Sequence, residues 1–215
     1  MNPEFWHQKW QNSEQGFHLP QVHPLLQRYL GNLSLKAGQT VFLPLCGKTL
    51  DIGYLLEQGF RVIGAELSDK AVTDLFNSLN RQPDMTPWQG GNRYRHGDLT
   101  VFQGDIFLLQ PDDLDAVDAI YDRAALIALP NAMRKRYARH LVTLTEKVPQ
   151  LLITLEYDQQ QMDGPPFSVG EQQVKTLYDS NYKIAPLSRK MILDHEPVFR
   201  EKGLTVLYEN VFLLK

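Results

Sequence analysis

The chain has 215 residues, a formal net charge of -3 at pH 7, 43% hydrophobic and 22% charged residues, which suits a globular chain with a core of its own and gives no electrostatic reason to expect nucleic acid or an anionic membrane as partner. Cys46 is the single cysteine, so an intramolecular disulfide and a cysteine-based zinc site are excluded. No stretch approaches the length of an apolar membrane span, and the N-terminus lacks the basic-then-apolar pattern of a secretory signal, so a cytoplasmic place is expected.

Residues 1–20 are polar yet hold Phe5, Trp6, Trp10 and Phe17, aromatics that a disordered tail usually lacks, so the segment is expected to pack on something. "VHPLLQRYLGNL" puts Leu25, Leu26, Tyr29 and Leu30 on one face of a short helix stopped at Gly31. "TVFLPL" reads as a buried strand, "KTLDIGYLLEQG" as a helix with Ile52, Leu55 and Leu56 inward and Gly59 as its stop, and "RVIGAEL" as a second strand. Ser68 is a good N-cap for a helix through Val72, Leu75, Phe76 and Leu79.

Arg81 to Gly97, with two prolines, three glycines and no period, reads as a long irregular insertion. "LTVFQGDIF" is a third strand, "AVDAIYDRAAL" supplies a fourth, "NAMRKRYARHLVTLTEKV" is a helix and "QLLITLEY" a strand buried on both faces. A helix follows over Glu171 to Tyr178, and the two apolar runs of "GLTVLYENVFLLK" around Glu209-Asn210 suggest a terminal hairpin. The expected fold is α/β: one domain, 1–215, with a doubly wound, mostly parallel sheet and an antiparallel C-terminal hairpin.

In such sheets a ligand sits at the carboxyl ends of the strands. Leu45, Cys46 and Gly47 lie at the end of the first, where amides opening the next helix can hold an anion. Glu66 ends the second, where an acid accepts from ribose hydroxyls, though a turn glycine and a solvated acid would look the same. The turn carries one glycine where a pyrophosphate site carries three, which favours a nucleoside with a carboxylate, such as S-adenosylmethionine, over a dinucleotide. Asp105 and Ile106 of "GDIF" follow the third strand, where an adenine could lie; taken alone, Ile106 and Phe107 read as core. Arg123 of "YDRAAL" breaks an apolar run at the end of the fourth strand, either as a cation directed into the cleft or as half of a salt bridge.

Cys46 has no histidine near it in sequence and is not read as a nucleophile; the six histidines show no metal-ligand spacing, so no metal is expected. "RKRYAR", Arg134 to Arg139, reads as a solvated helix face. "DGPPF" reads either as a wall of the acceptor pocket or as a plain connection stiffened by proline.

Together "FWHQKW", "FLPLCGK", "VIGAELS", "GDIF", "YDRAAL" and "YDQQQMDGPPFSV" resemble the thiopurine S-methyltransferase family, in that family's order and over nearly the whole chain. The resemblance implies a class I methyltransferase that uses S-adenosylmethionine, releases S-adenosylhomocysteine and methylates thiopurines or aromatic thiols, with selenium or tellurium compounds as further acceptors and detoxification as its role. It implies that Trp10 covers the cofactor as residues 1–20 fold over the site, Leu45 meets its methionine part, Glu66 its ribose, and Asp105 and Ile106 its adenine. Arg123 would lie near both cofactor and acceptor as the catalytic residue, Phe17 would line the acceptor pocket, and the chain would act as a monomer. Arg200 does not align cleanly with a second arginine that some members use. The alternative is a non-catalytic protein that binds S-adenosylmethionine or a metalloid.

Overall fold

The computed structural model describes residues 3–12 and 18–215, which form two compact units, 1–121 and 122–215. The first opens with α1 (Pro3–Gln11) and α2 (Pro24–Tyr29), the latter continued by a 3-10 turn over Leu30–Leu33. Leu26 and Leu30 of the expected apolar face are buried, while Leu25 and Tyr29 are half-buried. Then come β1 (Thr40–Pro44), α3 (Asp51–Glu57), β2 (Arg61–Glu66), α4 (Asp69–Ser78), β3 (Asp84–Trp88), β4 (Gly91–His96) and β5 (Leu99–Gly104). The unit boundary falls inside β6 (Ala119–Arg123). The second unit holds α5 (Asn131–Leu144), β7 (Gln150–Glu156), α6 (Glu171–Tyr178), β8 (Ile184–Met191), α7 (Pro197–Glu201) and β9 (Tyr208–Leu214). Among the described residues no helix is long and apolar enough to cross a membrane.

The strand order in the first unit is β3-β4-β5-β2-β1-β6. β2 runs parallel to β1 and to β5, with Pro44 opposite Ala65 and Glu66 opposite Gln103, so these strands bring their carboxyl ends to one edge. Polar pins hold this core in place. Asp51, 1% exposed at the start of α3, accepts the His23 N–H at 2.8 Å and the Tyr121 hydroxyl at 3.0 Å. Asp118 accepts the Thr40 N–H at 2.7 Å, and the Ser68 hydroxyl accepts the Ala71 N–H at 3.3 Å as the expected N-cap of α4.

The insertion expected to be irregular is a β-hairpin. β3 pairs antiparallel with β4, and β4 with β5. Its strands are largely exposed, so the alternation that marks a half-buried strand is absent, and Pro87 lies on the edge strand, the place in a sheet that tolerates it. In the second unit β9 runs antiparallel between β7 and β8. The antiparallel addition is present as expected, but its hairpin partner is β8, which the sequence reading missed, and Glu209 and Asn210 lie inside β9 instead of in a turn. Asn210 is tolerated there because its amide donates to Glu156 Oε2 at 3.1 Å. β8 is masked in sequence by Pro186 and by the bulge between Pro186 and Ser188.

Candidate active site

In the first unit, five of the seven proposed site residues converge by register and contact. Leu45 follows β1 and is half-buried in the left-handed region at φ 46°, a conformation a leucine adopts only where the surrounding fold over-determines it. Beside it, Glu66 ends β2 at 6% exposure; its Oε2 accepts the Gly47 N–H and its Oε1 the Ser68 N–H, each at 2.8 Å. Burial raises the Glu66 carboxyl above the usual range, and the amides of Ser68 and Gly47 pull it back. The amides of Cys46 and Gly47 are thus already used, by Ala65 O and Glu66 respectively, and α3 begins only at Asp51. Of the turn's amides, that of Gly47 orients the acid and that of Cys46 joins β1 to β2, so an anion held by amides opening the next helix would have to meet ones nearer Asp51.

Asp105 and Ile106 follow β5. Asp105 is exposed and accepts the Phe107 N–H at 3.0 Å, opening a 3-10 turn over Ile106–Leu108, while Ile106 is 4% exposed. Trp10, on α1, is 2% exposed, with Lys48 Nζ 5.9 Å from its ring centre, within cation–π range. Lys48 also pairs with Asp74 on α4 at 3.2 Å, so the helix carrying Trp10 is seated against the turn that carries Leu45. Phe17 lies outside the described residues.

This donor set fits S-adenosylmethionine. Each Glu66 oxygen accepts one N–H, and a carboxylate has room for more donors, as the two hydroxyls of a ribose would be. Ile106 offers an apolar face and Asp105 an acceptor, as an adenine requires.

Cys46 is a packing residue. The residue is 8% exposed, and its thiol is held well above its ordinary value by burial and by the Glu66 charge, so it stays protonated. It fills the space over Gly64, where an added Cβ would come within 2.8 Å of Cys46 Sγ.

In the second unit, Arg123 closes β6 half-buried, and Ala124 after it is left-handed at φ 63°. Asp122 points the other way, as alternation along a strand requires, and is fully buried. Its Oδ1 accepts the Leu126 N–H at 3.1 Å and its Oδ2 the Tyr137 hydroxyl at 2.7 Å, which together fix the turn that Arg123 opens. Burial pushes the Asp122 carboxyl up to about 6. Glu196 lies within electrostatic reach of Arg123; burial and the Glu209 charge raise its carboxyl while Arg123 and His195 lower it. Neither acid's role was legible in sequence, because an aspartate in an apolar strand and a glutamate in a polar segment carry no marker of their partners.

Arg134 corrects the reading of Arg134 to Arg139 as a solvated face. It is 2% exposed and donates to Leu129 O at 2.8 Å, to Ser168 O at 3.3 Å and to Gln173 Oε1 at 2.7 Å. Arg200 pairs with Asp194. Among the described residues no three His, Cys, Asp or Glu side chains group as metal ligands.

A family model described as Thiopurine S-methyltransferase matches residues 1–215. The chain belongs to the thiopurine S-methyltransferase family. It is 48% identical over 217 residues to the Thiopurine S-methyltransferase of Xanthobacter autotrophicus and 44% identical over 216 residues to that of Pseudomonas aeruginosa, in each case across 100% of this chain and 99% of the relative. Among solved structures it is similar to a SAM-dependent methyltransferase of Anabaena variabilis, with TM-score 0.66 and 13% identity over 100% of this chain and 95% of that one. It is also similar to the 1,6-didemethyltoxoflavin-N1-methyltransferase of Burkholderia thailandensis, solved with S-adenosylhomocysteine, with TM-score 0.63 and 14% identity over 99% and 86% of the two chains. The family member described here is an S-adenosylmethionine-dependent methyltransferase with the fold of that class.

Proposed function

We propose that the acceptor atom is sulfur, on a thiopurine or an aromatic or heterocyclic thiol, with selenium or tellurium compounds as secondary acceptors. The full-length match to relatives named for thiopurine S-methylation carries this reading. Glu66, fixed by two amides, accepts from the ribose hydroxyls; Leu45 flanks the methionine part, Asp105 and Ile106 the adenine, and Trp10 covers the bound cofactor. When bound, S-adenosylmethionine supplies a methyl carbon on a sulfonium, already activated for in-line displacement. The protein's work is then to align and to exclude water, and orientation of this kind supplies roughly 7–11 kcal/mol. Arg123 holds the acceptor sulfur as a thiolate, since a nearby opposite charge favours the ionised form, and Phe17 lines its pocket. We also read the chain as one functional domain, acting as a cytoplasmic monomer.

The test is methyl transfer from labelled S-adenosylmethionine to 6-mercaptopurine, with thiophenol and selenite in parallel. Label on the thiopurine or thiophenol supports the reading, and the ratio of rates ranks the acceptors. Cofactor binding without transfer to any of them moves the reading to a different acceptor class or to the non-catalytic alternative. In the same assay Arg123→Ala is expected to lower kcat/KM for the thiol about ten- to a hundred-fold, a loss of roughly 1.4–2.7 kcal/mol, with a smaller effect on cofactor affinity. Equal kinetics for variant and parent would show that Arg123 is structural.

A further inference from the structure

We propose that Gln103 and Trp88 form a clamp that holds the ribose and adenine corners of the cofactor site at a fixed spacing, which makes them positioning residues for cofactor binding. The proposal rests on the reading of Glu66, Asp105 and Ile106 as cofactor contacts. Glu66 and Gln103 are the last pair of the β2–β5 ladder, and beyond them only Gly104 is still paired, with Gly91 of β4, so nothing in the ladder joins the chain after Glu66 to the chain after Gln103. The residues that read the cofactor are at or past that point and need another tether.

Gln103 supplies one on each side. Its side-chain Nε2 donates to Leu67 O, next to Glu66, at 2.9 Å, and its backbone O accepts the Trp88 indole N–H at 3.1 Å. Trp88 ends β3, and its ring meets Phe102 edge-to-face with centroids 5.5 Å apart. At the hairpin tip, Gln89 Nε2 donates to Leu108 O at 2.9 Å, gripping the 3-10 turn that carries Ile106. Three glycines permit this approach. A Cβ on Gly90 would enter the Trp88 ring, one on Gly91 would strike Gln103 O, and one on Gly104 would strike Gly90 O. Gly91 and Gly104 also have positive φ, at 150° and 142°. Gln103 is only half-buried. Its bonds join Leu67, after the acid, to the β3–β4 tip, which in turn holds the turn after Asp105. Fixing that spacing before binding removes an ordering cost from the bound state.

The experiment uses the complete chain and titrates S-adenosylhomocysteine and its inosine analogue into the parent, Gln103→Met, Trp88→Phe and Glu66→Ala, with melting curves to confirm folding. Gln103→Met removes the donor at equal length, and Trp88→Phe removes the N–H while keeping a ring. Each is expected to weaken S-adenosylhomocysteine about five- to ten-fold, as the loss of one hydrogen bond allows. Each should also narrow the preference for adenine over hypoxanthine and raise the cofactor KM with kcat little changed, a pattern that simple loss of folded protein does not produce. If Glu66→Ala weakens binding and both clamp variants bind as the parent does, the clamp is overturned and the cofactor reading stands. If all three bind as the parent does, the cofactor reading fails and the clamp with it.

Discussion

Asp122 stands next to the proposed catalytic Arg123, and its carboxyl departs from its ordinary value. Its carboxyl is pushed up to about 6 by burial, against the pull of the Tyr137 hydroxyl and the Leu126 and Ala125 amides. The unfolded chain releases that proton near pH 4, so the native state holds it more tightly between about pH 4 and 6. The group's stabilising contribution is therefore full below about pH 4 and is lost as pH rises through about 6. Asp122→Asn removes the titration, and the stability of the parent relative to the variant should fall by on the order of 2–3 kcal/mol across that window. Urea melts at intervals from pH 4 to 7 measure it; a flat difference would mean that Asp122 does not titrate there. A second test at this scale concerns Gly64, where alanine would press a Cβ to 2.8 Å from Cys46 Sγ but leave the Cys46 Cβ at 3.7 Å. Gly64→Ala should cost about 1–3 kcal/mol, and adding Cys46→Ala should recover most of it, a coupling that a double-mutant cycle resolves.

Among the elements, the loop after β7 shows how a single buried side chain organises a segment without regular structure. The Tyr157 hydroxyl donates to Pro166 O at 2.6 Å, the Phe167 N–H to Ile127 O at 2.7 Å, and Arg134 reaches Ser168 O from α5 while its guanidinium lies 5.4 Å from the Phe167 ring centre. Arg134→Met leaves Leu129 O and Ser168 O without this donor and is expected to destabilise the chain by about 2–4 kcal/mol. Residues 158–168 should then become the first site of limited proteolysis. Arg134→Lys should recover little, because an ammonium does not reproduce the planar fork. A variant that melts with the parent and resists protease equally would remove the anchoring role. That α5 is a helix was legible in sequence, but the burial of one of its arginines was not. Arg134 is inside because Leu129, Ser168 and Gln173 offer it oxygen atoms, and none of the three is marked as a partner by spacing.

For the molecule as a whole, Cys46 is the one thiol in 215 residues, and its burial makes it a reporter of opening. A thiol-exchange reagent should label the native chain slowly and release one equivalent on unfolding. The thiol lies between Leu45 and Gly47 in the proposed cofactor turn, so S-adenosylhomocysteine at a hundred times its Kd should slow labelling by about a hundred-fold if exposure requires release of the ligand. Unchanged labelling at saturation would show that the turn opens without disturbing the bound cofactor, which is incompatible with Leu45 as a contact.

The alternation of strands and helices, the Ser68 cap, the α6 bounds and the placement of Glu66 at a strand end were all determined by the sequence alone, because each depends on groups within a few residues of one another. The tertiary structure decided the rest. β3 and β4 exist because β5 offers them a ladder, and β8 because β9 does. Glu66 is oriented by an amide nineteen positions away, and Gln103 holds a carbonyl thirty-six positions away. A hydrogen bond carries no trace in sequence of how far along the chain its partner lies, so the site's acid could be read from its neighbours but the clamp that positions it could not.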